Sequence, residues 1–179
     1  MTEEEFIRQL LDPKTQNEAF LKLVKENQRP LYNNIRSIVL NHDDADDILQ
    51  NTFIKVFRHL KDFKGQSKLF SWMYRISTNE ALTFLSQKNK RSATTGIDQQ
   101  TRLVENLQTD TWYDGDEIQI KLQKAVSLLP EKQQLVFKMK YFNELKYEEI
   151  SDILGTSTGA LKASYHHAVK KIEEYMNRS

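Results

Sequence analysis

YEEISDILGTSTGALKASYHHAVKKIEEY, residues 147 to 175, is the stretch on which the reading of this chain turns. Its first residues place Ile150, Ile153 and Leu154 on one face of a short helix. Gly155 follows, a residue that takes left-handed backbone angles without a Cβ penalty, and Ser157 stands where a side-chain oxygen can cap a second helix. After it Leu161, Tyr165, Ala168, Ile172 and Tyr175 recur at alternating spacings of four and three, one apolar helix face. The polar face left over carries Thr158, Lys162, Ser164 and His166. A short helix, a glycine turn and a longer amphipathic helix form a helix-turn-helix pattern, in which the polar face near the start of the second helix enters the major groove of DNA. Lys162 can there reach a guanine edge or a phosphate. A helical hairpin in an ordinary bundle shows the same spacing, so the pattern alone leaves that alternative open.

The residues before this stretch are helical too. Ile118, Leu122, Ala125, Val126 and Leu129 form a stripe closed by Pro130, and Leu135, Val136, Met139 and Phe142 form another. Between Lys88 and Asp116 the periodicity fades, and Ser92-Ala93-Thr94-Thr95-Gly96 has loop composition. About thirty residues is long for a connection inside one compact domain. The expected organisation is therefore an N-terminal domain over 1–90, a flexible linker over 91–117 and a C-terminal domain over 118–179. In the first domain helices are expected over 3–11 and 16–26, with a third opening at Pro30, a residue suited to a first helical turn. The next helix, 43 to 60, carries Leu49, Phe53, Val56 and Leu60 on one face and Asp43, Asp44, Asp46 and Asp47 in its first turns, where the helix dipole favours negative charge. Gly65 marks a loop, and 69 to 86 is helical again. No alternating strand pattern occurs. The fold class expected is all-α: two small helical domains joined by a flexible linker, the C-terminal one containing the helix-turn-helix.

Composition narrows the function. Hydrophobic residues make up 39% and charged residues 28% of the 179, the range expected of a soluble globular protein. There is no cysteine, so a disulfide framework and a thiolate metal site are excluded, in keeping with a reducing, cytoplasmic setting. The acidic start MTEEEFIRQLL is not a secretory signal, and no run approaches the roughly eighteen apolar residues of a membrane span, so no membrane insertion is expected. The net charge of +1 is uninformative, but its distribution is not. From Lys55 to Arg91 nine basic residues face two acids, from Asp98 to Glu117 six acids face one Arg, and from Ile118 onward ten basic residues face seven acids. Basic blocks attract phosphate backbones, although solvated helix faces produce such runs as well. An enzyme reading has little to rest on: there is no phosphate-binding glycine loop and no nucleophile motif. No metal site is expected, because Asp43, Asp44, Asp46 and Asp47 lack a calcium-loop pattern and the adjacent His166 and His167 point apart on a helix. No cofactor is expected.

LPEKQQLVFKMKYFNELKYEEISDILGTSTGALKASYHHAVKKI, residues 129 to 172, resembles region 4 of the sigma-70 family of bacterial RNA polymerase sigma factors. The resemblance lies in Leu129-Pro130, Gln133, Val136-Phe137, the Tyr147-Glu148-Glu149-Ile150 run and the set Gly155, Ser157, Gly159 and Lys162. Independently, DADDILQNTFIKVFRHLKDFKGQSKLFSWMYRISTNEALTFLSQKNKR, residues 44 to 91, resembles region 2. The short connection between them resembles the extracytoplasmic-function subgroup, which lacks the intermediate domain of housekeeping sigma factors.

The resemblance implies a DNA-reading initiation subunit with core RNA polymerase, promoter DNA and an anti-sigma factor as partners. It implies that Asp46, Asp47, Gln50, Asn51 and Lys55 face core polymerase. It assigns the minus-ten element to Lys64, Gln66, Ser67 and Lys68 in the loop, with Arg75 and Asn79 on the helix after it. Lys88, Lys90 and Arg91 would meet backbone phosphate, and Trp72 lies on the same helix in a position more typical of core. Thr158, Lys162, Ser164 and His166 would meet the minus-thirty-five element. The recognition helix departs from the family in holding Ala163-Ser164 and His167-Ala168-Val169 where arginines are frequent, so no promoter sequence carries over. The rival reading is a helix-turn-helix regulator that binds duplex DNA without polymerase; it leaves the first half unexplained.

Overall fold

A computed structural model describes residues 1–92, 96–107, 109–110 and 113–178. The fold is all-α, and no strand occurs among the described residues. The N-terminal helices are α1 (Glu3–Leu11), α2 (Gln16–Val39), α3 (His42–His59) and α4 (Leu69–Ser92), followed by α5 (Gly96–Leu107). The C-terminal ones are α6 (Glu117–Ser127), α7 (Glu131–Phe137), α8 (Tyr147–Leu154) and α9 (Thr158–Met176).

Local chemistry sets the helix ends. The Thr2 hydroxyl accepts from the Glu5 amide while the Glu5 carboxylate accepts from the Thr2 amide, which starts α1 with a reciprocal capping box. Asn41 Oδ1 accepts from the Asp44 amide and starts α3. Between α2 and α3 the chain reverses through Leu40 at φ 56, a left-handed conformation held by its burial. Two helices were expected over the span of α2, but it is a single helix with Pro30 inside. Proline removes one intrahelical hydrogen bond, yet Leu23 before it and Leu31 and Ile35 after it are all buried. Packing of both halves against α3 and α4 outweighs the local break.

α2, α3 and α4 pack on one another around Leu23, Leu31, Phe53, Val56, Met73 and Tyr74. At the centre the Asn34 amide donates to Ser77 Oγ and Thr78 Oγ1, both at 2.9 Å, so a buried polar group fixes the register of α2 on α4. In the C-terminal unit Ala125, Val126, Leu129, Phe137, Ala168 and Ile172 form the core joining α6, α7 and α9, and Phe137 stacks on Tyr165 at 5.8 Å. α7 continues into a wider, π-helical turn over Lys138–Phe142.

The segment between the two sigma-like stretches differs from the irregular linker expected there. α4 runs on to Ser92, and α5 occupies much of the remaining connection. Leu103, Val104 and Leu107 of α5 are buried with Ile35 and Val39 of α2, Leu40 and Ile120 of α6. Arg36 of α2 reaches Asp110 at 2.5 Å, with both side chains largely buried. Leu103, Val104 and Leu107 fall within one turn of one another, which is enough to dock one face of a helix. Of the loop expected from Ser92 to Gly96, Ser92 ends α4 and Gly96 opens α5, and 93–95 lie outside the described residues.

Candidate polymerase and promoter interface

On α3, Asp46, Asp47, Gln50 and Asn51 are exposed, and so is Lys55. The opposite face, Ala45, Ile48, Thr52, Phe53 and Val56, is buried, so the 3.6-residue period presents the polar set to solvent as one surface. Lys55 does not stand alone: its ammonium pairs with Glu80 of α4. The sequence reading missed the apolar part of this surface. Ile54 and Phe57 are 49% and 42% exposed, and Phe57 meets Phe20 of α2 edge-on at 5.0 Å. Their signal was the break in amphipathicity, two large apolar residues on the wrong side of the stripe.

The loop between α3 and α4 turns at Gly65 with φ 71, which only glycine takes without strain. It holds Lys64, Gln66 and Lys68 in solvent and Ser67 half-buried. The start of α4 is tied to the N-terminal helix, since the Glu3 carboxylate accepts from the Leu69 amide at 3.0 Å. Further along α4, Asn79 is exposed, Trp72 is half-buried against the Phe63 ring at 5.1 Å, and Tyr74 is buried. Burial also raises the pKa of the Tyr74 phenol. Arg75 is exposed yet engaged: its Nε donates to the Ile153 carbonyl at 3.1 Å, and its guanidinium also donates to the Asp152 carbonyl. At the end of α4 Lys88 lies 3.5 Å from Asp44, while Lys90 and Arg91 are exposed.

The helix-turn-helix is built as its sequence indicates. Gly155 closes α8 at φ 69 with its amide on the Ser151 carbonyl, and Ser157 Oγ caps α9 through the Ala160 amide. Ile150 and Ile153 of α8 and Leu161 of α9 meet in the core. Lys162 and His166 are exposed one turn apart, Thr158 and Ser164 are half-buried at the same end, and Lys162 Nζ rests 5.8 Å from the Tyr147 ring centre. Gly159, Ala160 and Ala163 are exposed beside them, so little side-chain bulk keeps this end of α9 from a groove.

Between α4 and α7 lies an open cleft of about 1020 Å³, walled by Leu82, Leu85, Leu129 and Leu135. Lys138 lines it while only 4% exposed, and desolvation lowers its pKa to about 8. Among the described residues no cluster of His, Asp or Glu is arranged to hold a metal ion, and no helix is long and apolar enough to cross a membrane.

Comparison with known proteins agrees with this geometry. The family Sigma-70 region 2 matches residues 23–91, and the family Sigma-70, region 4 matches residues 119–172; together they span more than half the chain. The RNA polymerase sigma-H factor of Pseudomonas aeruginosa is 25% identical over 166 residues, covering 87% of this chain and 85% of its own. The RNA polymerase sigma factor SigV of Bacillus subtilis is 27% identical over 148 residues, 82% of this chain and 84% of its own. The ECF RNA polymerase sigma-E factor of Escherichia coli is 25% identical over 138 residues, 73% and 72%. Among solved structures, CnrH in complex with the cytosolic domain of CnrY matches with a TM-score of 0.70 at 18% identity, over 98% of this chain and 97% of that one. The sigma factor RpoE in complex with the anti-sigma factor NepR from Bartonella quintana matches at 0.63 and 22% identity, over 89% and 98%. With both regions present in order, and relatives matched over most of their length that are all sigma factors, the chain belongs to the sigma-70 family of RNA polymerase sigma factors, in its extracytoplasmic-function subgroup.

Proposed function

We propose that this sigma factor docks on core RNA polymerase through α3, captures the melted minus-ten strand with the 63–68 loop and α4, and reads the minus-thirty-five duplex with α9. The observation that carries the docking is the composite face of α3. Asp46, Asp47, Gln50 and Asn51 lie next to the exposed Ile54 and Phe57, a polar rim beside an apolar centre. Two exposed amides, Gln66 and Asn79, with Lys64 and Lys68 nearby, suit a strand whose bases have left the stack. An exposed cation on a capped helix with small neighbours suits the major groove.

The protein acts without catalysis of its own, as a cytoplasmic subunit with 1–90 and 118–179 as its functional domains and 91–117 as their connection. An anti-sigma factor regulates it; this part of the reading is supported by the complexes in which both solved fold relatives occur.

Run-off transcription with core polymerase on a genomic library tests the whole. Discrete promoter-dependent transcripts that vanish without this chain are expected. Duplex binding by the chain alone, with no effect on polymerase, would overturn the proposal in favour of a stand-alone regulator.

A further inference from the structure

The loop proposed to hold the melted strand has little of its own to fix its shape. Lys64, Gln66 and Lys68 are exposed, and among the described residues no hydrogen bond or ion pair engages their side chains. Only the ends of the loop are packed. Leu60 and Leu69 are buried, and the Phe63 ring meets Trp72 at 5.1 Å. Where the three side chains stand is therefore decided at those two ends.

α1 reaches both of them. It packs on α2 and on the short 3-10 turn Leu60–Asp62 that leads into the loop. Leu10 of α1 is fully buried in the same core as Leu60 and Leu69. The end of α1 is itself fixed, since the Gln16 side-chain amide donates to the Leu10 carbonyl at 3.0 Å and the Thr15 hydroxyl to the Gln9 carbonyl at 2.8 Å. At the far side of the loop Glu3 crosses from α1 to α4. The Lys68 carbonyl accepts the first helical bond of α4, from the Trp72 amide. The Leu69 amide is then one of the donors that a helix start leaves without an intrahelical partner. The exposed Glu3 carboxylate accepts from it at 3.0 Å and sets a negative charge at the positive end of the α4 dipole. Its neighbour Glu5 is committed to the capping box of α1 itself. The match to region 2 begins at residue 23, so α1 and Glu3 lie outside it.

We infer that Glu3 is a positioning residue for the minus-ten loop: by capping α4 from α1 it closes a brace around both ends of the 63–68 loop and sets where Lys64, Gln66 and Lys68 stand when the melted strand arrives. The consequence for DNA rests on the proposed role of that loop; the brace itself does not.

Hydrogen exchange of the Leu69 amide in the free full-length chain reads the cap. Affinity of the chain bound to core polymerase, for a promoter found by run-off transcription and melted beforehand around the minus-ten element, reads its consequence. In Glu3→Ala the Leu69 amide should exchange about fivefold faster and the pre-melted template should bind about fivefold more weakly, the size of effect that loss of a helix cap produces. Helical circular dichroism, capture of core polymerase and binding of the duplex minus-thirty-five element should not change, because none of them uses the loop. Glu3→Gln keeps an acceptor oxygen without the charge and should fall between. Glu4→Ala removes the neighbouring acid of the same turn and should alter neither reading. Glu3→Ala combined with Gln66→Ala should lose less than the product of the two separate factors, since one acts through the other; fully multiplied losses would overturn the brace. Unchanged exchange at Leu69 in Glu3→Ala, or equal effects from Glu4→Ala, overturns it whatever the template affinity does. Faster exchange with template binding weakened by Gln66→Ala but not by Glu3→Ala also overturns it, while the role of the loop stands. Faster exchange with no loss in either variant removes both the brace and the loop reading. Faster exchange with tighter template binding overturns the brace as well, because the carboxylate then repels the strand.

Discussion

Lys162 and Lys138 are both lysines of the C-terminal unit, and their surroundings give them opposite duties. Lys162 is exposed on the first turns of α9, where its ammonium stays hydrated. Lys162→Ala should weaken binding to a duplex minus-thirty-five element by about 1–3 kcal/mol, the usual worth of a base contact; titration by fluorescence anisotropy checks it. Lys138 is buried, and its pKa falls to about 8 because the charged form is desolvated. In the unfolded chain it titrates near 10.5. Between those values the unfolded state binds more protons, so this group makes stability rise with pH across that window. Below about pH 8 the penalty is present in full, on the order of 3 kcal/mol as an upper figure. Lys138→Met should therefore be more stable than the parent at pH 7, with the gap narrowing by pH 10. Urea unfolding of both proteins at the two pH values measures it, and a gap that does not narrow would contradict the burial of the charge. Ser157 has the plainest task, capping α9, and Ser157→Ala should cost about 0.5–2 kcal/mol in the same assay.

Among the elements, α3 shows how amphipathicity and function diverge. A helix that served only the core would place Ile54 and Phe57 inward, yet both are well exposed. Asp47→Arg and Gln50→Ala should weaken capture of core polymerase while leaving the fold intact, because both side chains point to solvent. Ile54→Ser should weaken capture further, by about 1–3 kcal/mol if the side chain becomes fully buried on docking. Pull-down with core polymerase, alongside thermal melts of each variant, separates docking from folding; polymerase capture unchanged in all three would remove α3 from the interface. α2 and α5 show the limits of local pattern. Pro30 marks a helix start by its own chemistry, but the buried residues on both sides carry α2 straight through it. α5 has a sparse apolar face that acquires meaning only when Ile35, Val39 and Ile120 are there to receive it.

In the molecule as a whole, the two proposed DNA-reading surfaces sit on different units and suit DNA in different states. Replacing Lys162 should affect closed duplex. Gln66→Ala and Asn79→Ala should still bind poorly to a template melted beforehand around the minus-ten element, because the proposed role of those side chains is to hold the displaced strand. Measuring each variant on both templates tests the mapping, and loop variants impaired only on closed duplex would reverse it. The shared apolar core and the Arg75 hydrogen bond to the Ile153 carbonyl join α4 to α8 across the two units.

Much of this protein is determined by short-range chemistry that a sequence displays. Gly155 with Ser157 fixes the turn of the helix-turn-helix, the Asn41 cap and the apolar period fix α3, and the two sigma-like patterns fix the family. These features depend on residues a few positions apart, so spacing alone carries them. Tertiary structure decided which distant residues become partners. Lys55 is paired with Glu80, Lys138 is buried beside a cleft, α5 is docked, and Arg75 donates to the last carbonyls of α8. A free arginine and a capping arginine have the same neighbours in sequence; only the packing of α4 on α8, which brings Arg75 to the Ile153 carbonyl 78 residues away, distinguishes them.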